Sequence, residues 1–155
     1  MEERVRNLTV QIEEKLGGWF RGQLFLSLVI GVLSFIGLSI LGISYALPLA
    51  VIAGVMEVIP VIGPIISAIP PILIALTISP ILGLGVAIMY FVIQQLENHL
   101  LVPQVMKRAV GLNPLVVILT IAVGSRLLGF AGALLAVPIA VVIQIVATEI
   151  IEARK

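Results

Sequence analysis

Two charged side chains stand alone in long apolar runs. Glu57 is the only charged residue between Arg21 and Glu97, and Arg126 the only one between Arg108 and Glu149. A charge in a bilayer core costs at least about 2.5 to 3.5 kcal/mol even on lenient insertion scales, so it pairs, faces a cavity or marks a pathway. Two readings follow for Glu57 and Arg126. Either they line a proton or ion path, the carboxyl holding and releasing a proton, or they are structural, pairing with each other or capping broken helix ends. Glu97 opens a polar cluster with Asn98 and His99 and is a third candidate, for structure or for coupling. Other chemistries lack their parts. The chain has one His and no Asp or Cys to complete a metal set. Its serines have no accompanying base. It carries no glycine-rich phosphate loop ending in Lys-Ser/Thr. No enzyme and no cofactor are expected, and an ion gradient rather than a nucleotide is the expected energy source.

Composition supplies the setting for these charges. Hydrophobic residues make up 61% and charged residues 11%, with a mean hydropathy of +1.27. A soluble domain needs roughly 25% charged residues to wet its surface. A net charge of +1 gives no counterion-release drive toward nucleic acid. The expected class is an all-α integral membrane protein, a polytopic helical bundle.

The elements that position the candidates follow from periodicity and breakers. Residues 1–21 read as an amphipathic interfacial helix, with Val5, Leu8, Ile12, Leu16 and Trp19 on one stripe and Gly17-Gly18 as a hinge into the membrane. Residues 22–155 form the transmembrane domain. Within it, spans are expected at about 24–41 and 81–96, the first with a small-residue face of Ser27, Gly31 and Ser34. Between them, residues 46–78 are apolar but interrupted by Pro60, Gly63 and Pro64. Arms of about 14 residues reach only about 21 Å, short of the roughly 30 Å hydrocarbon core. A re-entrant or broken-helix hairpin is therefore expected. A second hairpin is expected at 114–151, breaking between Gly124 and Gly129, with Gly132, Ala136 and Ala140 as a close-packing stripe on the return arm.

Helix followed by hairpin thus occurs twice. A shift of 69 positions lays Gly42 on Gly111, Glu57 on Arg126, Pro60 on Gly129 and Gly63 on Gly132. If Arg4, Arg6, Lys15 and Arg21 are cytoplasmic, each basic cluster (Lys107 and Arg108, then Arg154 and Lys155) also falls inside, and the hairpins enter from opposite faces. That is the layout of inverted-repeat transporters, whose sites lie near the midplane between discontinuous segments. Both termini are expected in the cytoplasm.

The stretch Gly54-Val55-Met56-Glu57-Val58-Ile59-Pro60-Val61-Ile62-Gly63-Pro64 with Pro70 resembles the signature turn of the autoinducer-2 exporter family of bacterial membrane transporters. So do Glu97-Asn98-His99-Leu100-Leu101-Val102-Pro103, Gly111-Leu112-Asn113-Pro114, Gly129-Phe130-Ala131-Gly132 with Pro138, and Arg21-Gly22-Gln23. They stand in the family's order and correspond to its C-terminal half. The resemblance implies a multi-pass protein of the bacterial inner membrane that exports a small polar solute. In other members it implies sodium/lithium–proton exchange, and throughout the family homo-oligomeric assembly. A non-transporting membrane scaffold fragment, with purely structural charges, is the alternative from a different class.

Overall fold

The computed structural model describes residues 2–59, 62–109 and 114–152, and every element among them is helical. The order is α1 (Glu2–Ile40), α2 (Ala46–Met56), α3 (Ile62–Ile78), α4 (Pro80–Leu96), a π-helical turn (Glu97–Leu101), α5 (Val102–Ala109) and α6 (Pro114–Glu152). Among the described residues, three stretches are long and apolar enough to cross a membrane: Thr9–Ile40, Pro80–Val105 and Ala131–Thr148. The chain divides into two compact units, Gln23–Val105 and the combination of Met1–Gly22 with Met106–Lys155.

In the unit Gln23–Val105, local chemistry sets each boundary. Gly42 takes φ 73° and ends α1, with Ile43 N–H bonding Leu38 O and Gly42 N–H bonding Ser39 O, the paired bonds of a Schellman stop. Ser79 caps α4, its hydroxyl accepting from Leu82 N at 3.0 Å, and Pro80 follows where its missing N–H costs nothing. Helix α2 has 11 residues and α3 has 17. At 1.5 Å per residue these span about 17 and 25 Å. α3 packs against both α2 and α4. Leu38, Leu49, Ala53, Ala75, Val86 and Tyr90 form the buried centre, while Leu28, Leu47, Val55, Leu73, Ile81 and Phe91 are exposed, as expected of side chains that face lipid. Lipid offers no hydrophobic drive for helices to associate, so close approach matters more. It is visible where Gly31 meets Ala50 O and Gly54, with Ser34 fully buried on the same face.

In the other unit, α6 is a helix broken at one point: Leu128 (φ −129°) and Gly129 (φ 59°) leave helical geometry. The arms fold back so tightly that a Cβ on Gly132 would strike the Gly124 carbonyl. Gly132, Ala136 and Ala140 are all buried.

At two expected boundaries the helix runs on. Gly17-Gly18 is no break, because α1 runs through it. A glycine costs a helix only about 1 kcal/mol relative to alanine, less than an unsatisfied backbone group in an apolar medium. Nor does the second span stop at Leu96. The π-helical turn carries the helix through Glu97, Asn98 and His99 to Val105.

Candidate functional site

Gln23–Val105 contains two carboxylates and no Lys or Arg. The fold brings those two together. Glu57 follows the last turn of α2, where the helix must stop short of Pro60 and Pro64. Its N–H still bonds Ala53 O at 3.0 Å, so the residue is held in helical register. Glu97 is the first residue of the π-helical turn, and the extra residue of that turn re-aims the side chains around it. Glu97 points inward, 3% exposed, while Asn98, His99 and Leu100 are exposed. Such single-turn π insertions gather at functional sites. Glu57 is 1% exposed. The two carboxyl groups face one another closely enough to interact. A hydrogen bond between them requires a proton on one of the two, because two carboxylates offer only acceptors. The second oxygen, Oε2, of each is buried and has no protein partner.

The neighbourhood is polar but uncharged. Gln23 on α1 donates its Nε2 to the Glu57 backbone carbonyl. Ser67 on α3 donates to Pro64 O at 3.1 Å, tying the first turn of that helix. A cavity of about 250 Å³ reaches Glu97 between α3 and α4, with Ser67, Tyr90 and Gln94 among its walls.

The other expected site residues are distributed as follows. Gly63 and Pro64 are buried at the start of α3, and a Cβ on Gly63 would run into the Met56 carbonyl. Pro60 lies outside the described residues. Arg126, Gly129 and Gly132 belong to the other unit, where Arg126 is exposed. The sequence singles out Glu57 and Glu97 separately and does not join them. The signal that could join them is their standing as the only charges between Arg21 and Lys107. Gln23 is not among the expected site residues, and its signal is weak, a single amide where the apolar run begins.

Three crossing-length apolar helices and a buried acidic pair between broken helices define a polytopic α-helical membrane protein. The model of the AI-2E family transporter matches residues 1–152, and the chain belongs to that family. It is 37% identical over 143 residues to "Putative transport protein YrrI" of Bacillus subtilis (strain 168), covering 92% of this chain and 40% of that protein. It is 42% identical over 106 residues to "Putative transport protein MT0215" of Mycobacterium tuberculosis (strain CDC 1551 / Oshkosh), covering 66% and 28%. With "Putative transport protein YhhT" of Escherichia coli (strain K12) it shares 34% over 121 residues, covering 77% and 35%. The chain thus spans two fifths or less of these curated relatives. No solved structure matches it.

Proposed function

We propose that the chain carries the ion-coupling site of a membrane transporter that exports a small polar solute by ion-coupled secondary transport, with Glu57 and Glu97 as the coupling groups. The observation that carries this reading is the meeting of the only two charged residues of the unit Gln23–Val105, both buried. A pair sharing one proton still bears one negative charge, and an unneutralised buried charge is costly. A second proton or a monovalent cation neutralises it, and the two compete for the same place. Binding of one releases the other, which is the elementary step of exchange. Discontinuous helices such as α2 and α3 are where secondary transporters set such sites. On this reading the α2–α3 hairpin is re-entrant, the protein is a homo-oligomer of the inner membrane, and both termini are cytoplasmic.

Sodium/lithium–proton antiport is a second reading, favoured by an acidic pair whose neighbours within the unit supply only neutral oxygens and amides. Proteoliposomes with an imposed proton gradient separate the two. A lithium- or sodium-dependent collapse of the gradient supports antiport, and gradient-driven movement of a neutral solute supports export. Loss of either activity in Glu57→Gln and in Glu97→Gln is expected. Full activity in both variants would remove the pair from the mechanism.

A further inference from the structure

The backbone of Glu57 is gripped from both sides. Its N–H is bound inside α2, and its carbonyl oxygen, one of the groups a helix end leaves without an intrahelical partner, accepts from Gln23 Nε2 across 34 positions of sequence. Gln23 is 2% exposed, and its Oε1 is buried without a protein partner. One turn further along α1, the Ser27 carbonyl lies against Gly54 so closely that a Cβ there would not fit, which fixes how near α1 can come to α2. The amide thus reaches a buried carbonyl from another helix. It ties the register of the broken helix to the first long helix.

We infer that Gln23 is the positioning residue of the acidic pair: its amide holds the Glu57 backbone so that the carboxyl meets Glu97 in one geometry. The inference rests on the reading of that pair as the coupling site. Gln23 acts through Glu57 and neither binds nor releases the transported ion. The remaining titratable groups of the unit are Tyr45, Tyr90 and His99. Tyr45 and His99 are exposed, His99 Nδ1 bonding Gln95 O at 3.0 Å, and the Tyr90 hydroxyl on α4 adjoins Ser34 on α1. The buried carboxyl signal of the unit therefore belongs to Glu57 and Glu97 alone.

The test is an infrared titration of the protonated-carboxyl band of the purified protein, with Glu57→Gln identifying the contribution of the pair. Gln23→Met keeps length and volume but removes the donor, and Gln23→Asn keeps the amide but falls a methylene short. Both are expected to move the titration midpoint of the pair by about one pH unit, tenfold in proton affinity, with helix content unchanged by circular dichroism. Gradient-driven flux should fall about tenfold alongside. A wild-type midpoint in Gln23→Met would show that only packing matters at this position and overturn the inference while the coupling site stands. Should Gln23→Met fail to fold, the Gln23→Asn midpoint decides in the same way. If Glu57→Gln leaves the band and its titration unchanged, the acidic-pair reading fails and the positioning role falls with it.

Discussion

The chain breaks and refolds a helix twice, and the two breaks are built differently. α2 ends at Met56 with Val58 and Ile59 bonded back to Val55 O and Met56 O, and the return helix α3 begins with Gly63 pressed against the Met56 carbonyl. In α6 the break is concentrated at Leu128 and Gly129, and Gly132 presses against the Gly124 carbonyl. Both use a glycine just after the break to let the arms touch backbone to backbone. Only the first buries a charge: Glu57 is 1% exposed, whereas Arg126, its counterpart under the 69-residue shift, is exposed. Close glycine contact is therefore the means of folding back, and it does not by itself make a site. What sets the first apart is a buried carboxyl at the end of α2, beside Glu97, whose backbone carbonyl accepts from Gln23.

The largest effect that would break this comparison is on transport. Glu57→Gln and Glu97→Gln are each expected to reduce gradient-driven flux in proteoliposomes to the level of empty vesicles. Arg126→Gln, which leaves the acidic pair of the other unit unchanged, is expected to leave flux within about twofold. A loss with Arg126→Gln as deep as with Glu57→Gln would give the second hairpin an equal share in the chemistry.

The next effect is on stability, and here the hairpins should behave alike. Gly63→Ala and Gly132→Ala each put a Cβ into a backbone carbonyl that cannot rotate away. Overpacking of this kind costs about 1 to 3 kcal/mol, read as a lower melting temperature in detergent. Flux should separate them, because Gly63→Ala displaces the Met56–Glu57 peptide and Gly132→Ala does not. Equal flux in the two variants would mean the register of Glu57 is not what the close contact protects.

Features decided by local chemistry are legible in the residues alone. The all-helical class, the stop at Gly42 and the break before Pro64 are of this kind, because proline, glycine and apolar length act within a turn or two. The partnership of Glu57 with Glu97 is not, since 40 positions separate them in the chain and only packing of α3 against α2 and α4 brings them together. In sequence, Glu97 looks like the polar end of a span. No local rule distinguishes that from a π-helical turn, whose single inserted residue sends Glu97 inward and His99 outward. The Gly17-Gly18 hinge fails for the opposite reason: the local weakness is real, but continuity of the backbone hydrogen bonds outweighs it.

The smallest effect distinguishes the two kinds of break most directly. Gly129 has φ 59° with open space around its Cα, so its requirement is conformational. Gly63 is not among the residues of positive φ, and its requirement is spatial. Gly129→Ala should cost about 1 to 3 kcal/mol, because φ 59° with ψ −135° is backbone that essentially glycine alone adopts. Gly129→Asn should cost as much as alanine, because the left-handed well that asparagine visits has ψ near about +47°, whereas Gly129 has ψ −135°. At Gly63 the two should differ, with asparagine worse than alanine, since a larger side chain meets the same carbonyl. Melting temperatures of the four variants decide the matter. Parallel behaviour at the two positions would show that both glycines serve the same need, and that the difference between the hairpins lies only in the charge each one carries.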